Sequence, residues 1–191
     1  MLSIGYHACD RGRVERGDNV LVIGAGPIGL GAALIAKDRG AKVGIIDPLE
    51  ARLRLSQDIG IDFALHAGDG VEARVIGELG CRPNVVLEAV GNPKTLEQSL
   101  EMVSAAGRVV FLGWTSQSPQ WRPDSFLKKE LDLLGSRNSH GIFPQVIDFY
   151  CRNLERLKRL VTHRFKMEEI GKAMSFIDTC GEQTMKVIME W

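Results

Sequence analysis

The sequence predicts an α/β protein built on a doubly wound parallel sheet of six strands, followed by a small strand-helix-strand piece. Three observations predict it. A short β-branched apolar run, Asn19-Val20-Leu21-Val22-Ile23, leads directly into Gly24-Ala25-Gly26-Pro27-Ile28-Gly29. Helix-compatible sequence then runs from Pro27 to Asp38, and Gly40 supplies a stop. Beyond it, apolar strand-like runs alternate with helical stretches up to Asn153, the pattern of βαβ units with right-handed crossovers.

Each glycine of the turn has a physical task. Gly24 permits a tight strand-to-helix turn, Gly26 lets a pyrophosphate approach the backbone, and Gly29 lets helix and strand pack closely. Free amides at the helix start, together with its dipole, suit phosphate charge. The following stretch strengthens this reading. Lys42-Val43-Gly44-Ile45-Ile46-Asp47 reads as a second buried strand ending in an acid, 18 residues past Gly29. That is where an acid meets the hydroxyls of an adenosine ribose. The bland alternative is a glycine turn and a surface aspartate ending a strand.

The remaining elements follow in order. Leu49 to Ile59 reads as a helix ended by Gly60, and Asp62 to His66 as a third strand. A helix through Leu79 leads to a fourth strand, Asn84 to Glu88; a helix from Pro93 to Val103 leads to a fifth, Gly107 to Leu112. The segment from Trp114 to Lys129 breaks the rhythm and reads as loop, with Trp114, Trp121 and Phe126 serving as an interface or as anchors. Leu131 to Gly135 is a sixth strand and Phe143 to Asn153 a helix. Near Leu154 a second unit begins: an extended run from Leu160 to Phe165, an amphipathic helix from Met167 to Ile177, and a last strand from Met185 to Met189. Before the first strand, a short helical piece through Cys9 runs into Gly12. In a sheet of this kind the ligand belongs at the carboxyl ends of the strands, where strand order reverses.

Composition narrows the function classes. Lysine plus arginine number 24 and aspartate plus glutamate 24, so the chain is neutral overall. A balanced surface offers no electrostatic footprint for nucleic acid or an anionic membrane. No apolar run reaches membrane-spanning length, and the first residues lack the pattern of a signal peptide. Cys9, Cys81, Cys151 and Cys180 are scattered singly, which suggests neither a zinc ribbon nor a disulfide framework. A reduced, cytoplasmic protein is the expectation. His7 and Cys9 alone cannot fill a four-ligand metal site.

Taken together, the motifs resemble the medium-chain dehydrogenase/reductase family, near its zinc-dependent sorbitol, threonine and sugar-acid dehydrogenases. The resemblance rests on Leu2-Ser3-Ile4-Gly5-Tyr6-His7-Ala8, the glycine turn, Asp47 with Arg52-Leu53, Glu88-Ala89-Val90-Gly91, Gly107-Arg108-Val109-Val110, Gly135-Ser136-Arg137-Asn138 and Thr162-His163-Arg164-Phe165. It implies a Rossmann domain for NAD over residues 18–153, preceded by a linker helix (1–17) and followed by a segment of the catalytic domain (154–191). In that family a GroES-like domain with the zinc ligands comes first. This chain is expected to lack that half, so zinc is expected only together with it. His7, His66, His140 and His163 share no ligand spacing with one another or with the cysteines.

Roles follow from the resemblance residue by residue. Gly24, Gly26 and Gly29 form the pyrophosphate turn, shaped by Pro27 and Ile28. Asp47 accepts both ribose hydroxyls, Arg52 lies along the adenosine, and Val90 flanks the cofactor. Leu112, Gly113, Ser136, Arg137 and Asn138 meet the nicotinamide ribose and carboxamide, and Lys186 supplies a cation near the pyrophosphate. A homodimer or tetramer through the sixth strand is implied as well.

The expected function is therefore the NAD-binding portion of an alcohol or polyol dehydrogenase, which by itself binds NAD without turnover and carries no catalytic residue. The alternative is a free-standing NAD(H)-binding or redox-sensing module. A complete short-chain-type reductase needs Tyr-x-x-x-Lys, and Tyr6 and Tyr150 are followed four residues on by Asp10 and Leu154. A methyltransferase with a similar glycine loop is a further alternative, which cofactor titration separates.

Overall fold

A computed structural model describes residues 1–191. Helix α1 (Leu2–Arg11) precedes strand β1 (Asn19–Ile23), and α2 (Pro27–Asp38) crosses to β2 (Lys42–Asp47). The alternation continues through α3 (Glu50–Asp58), β3 (Phe63–His66), α4 (Val71–Leu79), β4 (Val85–Glu88), α5 (Pro93–Met102) and β5 (Arg108–Phe111). A short helix α6 (Asp124–Leu127), β6 (Asp132–Gly135), α7 (Phe143–Arg152) and α8 (Leu154–Lys158) complete the main body. The C-terminal piece consists of β7 (Val161–Lys166), α9 (Ile170–Cys180) and β8 (Lys186–Glu190).

The six strands form one sheet in the order β3-β2-β1-β4-β5-β6, every neighbouring pair parallel. Strand order reverses between β1 and β4, as a doubly wound sheet requires. The cause is visible in the strands, where successive side chains point to opposite faces and both faces are apolar. Val20 and Val22 of β1 join Val43, Ile45, Val85 and Leu87 under α1 and α2. Leu21 and Ile23 join Ile46, Val86 and Val109 under α4 and α5.

At the amino edge of the sheet, buried Asp18 accepts hydrogen bonds from the Glu15 amide, Asn84 Nδ2 and Arg108 Nη2, at 3.0, 2.6 and 2.7 Å. This knot ties together the starts of β1, β4 and β5, far along the strands from their carboxyl ends.

The expected strands and main helices are present, with shifts of a few residues at their ends. Two helices were not legible. The loop after β5 contains α6, and the chain after α7 continues into α8. Within that loop the anchoring reading holds for two aromatics: Trp121 packs on Phe111 and Phe126 with ring centroids 5.6 and 5.7 Å away. Trp114 remains 77% exposed. Helix α9 begins after a 3-10 turn and extends past Ile177 to Cys180, with the Thr179 hydroxyl donating to the Ser175 carbonyl in its last turn. Apolar spacing carries no record of such a turn.

The strands β7 and β8 pair in parallel, with an irregularity between Val161 and His163. Leu157, Leu160 and Met185 enter the same apolar cluster as the β1 and α2 side chains. No helix is long and apolar enough to cross a membrane.

Candidate site at the carboxyl ends of the strands

The turn between β1 and α2 is shaped by what cannot fit in it. Gly24 has φ of +98°, and a Cβ there would lie 2.6 Å from Val90 Cγ2. A Cβ on Gly29 would lie 1.9 Å from the Gly24 carbonyl oxygen, so the helix can start this close to the strand only with glycine. At Gly26 the opposite holds: an added Cβ meets nothing within 4 Å, and the backbone borders an open cradle. Gly26 is the N-cap of α2 and Pro27 stands in its first turn, with no side chain capping the amides that follow. Those amides have no carbonyl within the helix to bond.

Asp47 closes one side of this cradle. It is 3% exposed, its Oδ2 accepts the Ala25 amide at 2.8 Å, and its Oδ1 accepts the Leu49 amide at 2.9 Å. Each carboxylate oxygen can accept more than one bond, so capacity for a ribose hydroxyl remains. Arg52 Nη1 stands 3.6 Å from Asp47 Oδ2, while its Nε is buried without a partner. The acid and the glycine turn are thus one hydrogen-bonded unit.

On the other side of the switch point a cleft of about 470 Å³ opens. Ile28, Leu112, Gly113, Ser136, Arg137 and Asn138, all expected at the cofactor, line it together. The Ser136 hydroxyl is buried and unpartnered, Arg137 Cζ sits 4.9 Å from the Trp114 ring centroid, and Asn138 has φ of +55°. Val90 is 44% exposed beside Gly24.

Lys186 lies elsewhere. It lines a separate apolar cleft with Met1, Leu2 and Tyr150. There the terminal amine has its pKa lowered, first by burial and then by the charge of Lys186.

Sequence reasoning missed Ile4, Phe111, Trp114 and Gly135 as lining of the cleft. Ile4 carries no signal, because α1 reaches the site only through the tertiary fold. Phe111 and Gly135 end the two strands that form the wall, so the switch-point rule could have found them. Glu88, the first residue of the Glu88-Ala89-Val90-Gly91 motif, is fully buried at the end of β4.

The largest cleft, about 500 Å³, is lined by Arg82, Glu101, Trp121 and Lys129. Its cations are committed: Arg82 pairs with Glu72, and Lys129 Nζ donates to the carbonyls of Leu100, Glu101 and Val103 at the end of α5. No three His, Cys, Asp or Glu side chains gather in a metal-holding group.

A parallel sheet in this order, a glycine turn at the reversal and an acid ending the second strand define the doubly wound dinucleotide-fold class. Within that class, the chain belongs to the zinc-binding dehydrogenase family, whose profile ("Zinc-binding dehydrogenase") matches residues 27–152. It is 32% identical over 188 residues to an uncharacterized zinc-type alcohol dehydrogenase-like protein of Haemophilus influenzae, covering 97% of this chain and 55% of that protein. Human sorbitol dehydrogenase is 33% identical over 177 residues, covering 90% of this chain and 50% of the enzyme. A crystal structure of the alcohol dehydrogenase RspB of Escherichia coli CFT073, complexed with NADH, superposes with a TM-score of 0.91 at 28% identity, covering 100% of this chain and 57% of that one. The chain therefore spans about half the length of the curated relatives it matches.

Proposed function

We propose that this chain is the NAD(H)-binding part of a zinc-dependent alcohol or polyol dehydrogenase. The observation that carries the reading is the joined unit of the open Gly26 cradle and buried Asp47, linked by the Ala25 amide. Likeness to sorbitol dehydrogenase and to an NADH-bound dehydrogenase supports it. The residues present fit the cofactor. Uncapped amides and an open cradle suit a pyrophosphate, and a buried carboxylate with spare lone pairs suits ribose hydroxyls. The unpartnered hydroxyl of Ser136 suits a polar group at the far end.

When bound, the nicotinamide supplies the hydride acceptor for an alcohol carbon. The work of this chain is to hold and orient. The α2 amides and Gly26 take the phosphates; Asp47 fixes the adenosine ribose, and Arg52 beside it flanks the adenosine. Val90, Leu112 and Gly113 form the wall, and Ser136, Arg137 and Asn138 meet the ribose and carboxamide. Lys186, which lines the separate cleft with Met1 and Leu2, has no part in this arrangement. Activation of the alcohol by a zinc ion needs about three protein ligands with an open position. We place those ligands in the half of such enzymes that this chain does not match, so the chain by itself binds cofactor without oxidising alcohols.

Titration with NADH and NADPH at one ionic strength tests this reading. Asp47 repels a 2′-phosphate in a partly desolvated site, so NADPH is expected to bind at least about tenfold more weakly. Equal affinities overturn the assignment. Gly26→Trp fills the cradle and is expected to abolish NADH binding with the unfolding midpoint unchanged. With NAD, zinc and sorbitol, threonine or sugar acids, no steady NADH production is expected; production lost on Gly26→Trp overturns the division of labour.

The same reading includes self-association. Strand β6 is the sheet's edge, paired only with β5, and an edge strand presents unpaired backbone groups. We place a second copy there across a two-fold axis. Sedimentation equilibrium at micromolar concentration is expected to show a dimer that Leu133→Lys dissociates. A wild-type monomer overturns this.

A further inference from the structure

Glu88 ends β4 at the point where strand order reverses, and its side chain is fully buried. One carboxylate oxygen carries all its bonds. Oε1 accepts the Val90 amide at 3.0 Å, the Gly91 amide at 2.9 Å and the Thr95 hydroxyl at 2.7 Å. Oε2 is buried with no partner. The main chain of the same residue holds the neighbouring strand end, for its carbonyl accepts the Leu112 amide at 2.8 Å and the Gly113 amide at 3.1 Å. Two chain segments that border the cofactor site are thus fastened to one residue.

The fastening is needed because these segments touch backbone to backbone. A Cβ on Gly113 would lie 2.1 Å from the Gly91 nitrogen, and one on Gly91 would lie 2.5 Å from the Trp114 nitrogen. Val90 in turn sits where a Cβ on Gly24 would be 2.6 Å from its Cγ2. Small rotations of the Val90-Gly91 turn would therefore displace Val90 and shift Leu112 to Trp114 along the cleft. A carboxyl group in an apolar interior is expensive to bury. Tolerating it at zero exposure, with one oxygen unsatisfied, is hard to explain by packing alone, since an apolar side chain of equal size would fill the space.

We propose that Glu88 is a positioning residue for the nicotinamide side of the site, setting Val90 and the Leu112–Trp114 wall through its bonds to the Val90 and Gly91 amides. The inference rests on the NAD(H) reading above. The adenosine side is held independently, by the bonds from Ala25 and Leu49 to Asp47. Loss of Glu88 is accordingly felt at one end of the dinucleotide and not the other.

The test compares NADH with ADP, which carries the adenosine and pyrophosphate but no nicotinamide, by calorimetric titration. Glu88→Ala is expected to weaken NADH binding roughly tenfold while ADP changes by less than about twofold. Glu88→Gln, whose amide oxygen can accept the same two backbone N–H groups, is expected to restore NADH to within about threefold of wild type. If circular dichroism shows that Glu88→Ala does not fold, Glu88→Asp, one methylene too short to reach both amides, takes its place with the same expectations. Equal losses for the two ligands, no loss of NADH, or a Gln variant as weak as the truncated one each overturn the proposal. A wild-type chain that binds neither ligand overturns the NAD(H) reading itself; one that binds both, with no split in the variants, overturns only the role of Glu88.

Discussion

The six-stranded body and the C-terminal piece both contain a parallel strand-helix-strand arrangement, yet they bury it differently. In the body, β4 is buried at all four positions and β1 at four of five. In the C-terminal piece, β7 alternates half-buried and exposed residues, and α9 leaves Ile170, Met174 and Ile177 at 55, 58 and 39% exposure. The body's strands have helices on both faces, whereas β7 and β8 carry α9, and the flanking residues Leu160 and Met185 join the main core. A short parallel pair cannot enclose its own apolar surface, so its stability is borrowed from its neighbour. Contiguous apolar residues left facing out are the mark of a surface that another body covers.

The sharpest way to break this contrast is to add a side chain where each region has a glycine. Gly29→Val drives its side chain into the Gly24 carbonyl at the centre of the body, and is expected to cost more than about 3 kcal/mol or to prevent folding. Gly171→Ala in α9 meets open space and is expected to change stability by less than about 1 kcal/mol, in the stabilising direction. Urea unfolding of the two variants checks both. Similar costs would mean that the two regions are equally tightly built.

A smaller effect sharpens the same contrast in the strands. Leu87 is fully buried between β1 and β5, whereas Ile188 on β8 is partly exposed. Leu87→Ala is expected to cost about 2–5 kcal/mol and Ile188→Ala less than about 1.5 kcal/mol. The same unfolding measurement decides, and equal losses would show that the C-terminal piece carries more of the core than its exposure indicates.

The contrast also explains what could be seen in the sequence. Body strands announced themselves because burial on both faces demands unbroken runs such as Val20 to Ile23 and Val85 to Leu87. The glycine turn and Asp47 were legible because the backbone geometry itself dictates those residue types. Helices α6 and α8 were not, since four or five residues are too few for a periodic signal. Nor was the contribution of α1: Ile4 reaches the cleft, and Gly5 lets α1 touch the backbone of α2 at Ala32, by contacts that no local pattern encodes. Lys186 illustrates the converse, a position suggested by resemblance whose surroundings, Met1, Leu2 and Tyr150, come from distant parts of the chain.

The smallest effect concerns two thiols, one in each region. Cys9 is sealed between α1 and α2, its Sγ 3.5 Å from the Ala32 carbonyl, while Cys180 in α9 is half-exposed. Burial, outweighing the nearby Arg39 charge and assisted by Asp10, pushes the Cys9 thiol from its ordinary 9.0 up to about 12. Below pH 9 the thiol is protonated in both folded and unfolded chains, and its contribution to stability is constant. Between pH 9 and 12 the unfolded chain releases a proton that the folded chain retains, so stability falls as pH rises, by at most about 1.4 kcal/mol per pH unit. Cys9→Ala removes this term together with some packing. The difference in unfolding free energy between wild type and the variant is therefore expected to shrink by about 1 kcal/mol between pH 8.5 and pH 10. A thiol reagent at pH 8 is expected to modify Cys81 and Cys151 in the folded protein, Cys180 more slowly, and Cys9 only once the chain opens. A wild-type difference that stays constant with pH, or a Cys9 that reacts as fast as Cys180, would place α1 among the loosely held elements and move the boundary between the two regions into the body itself.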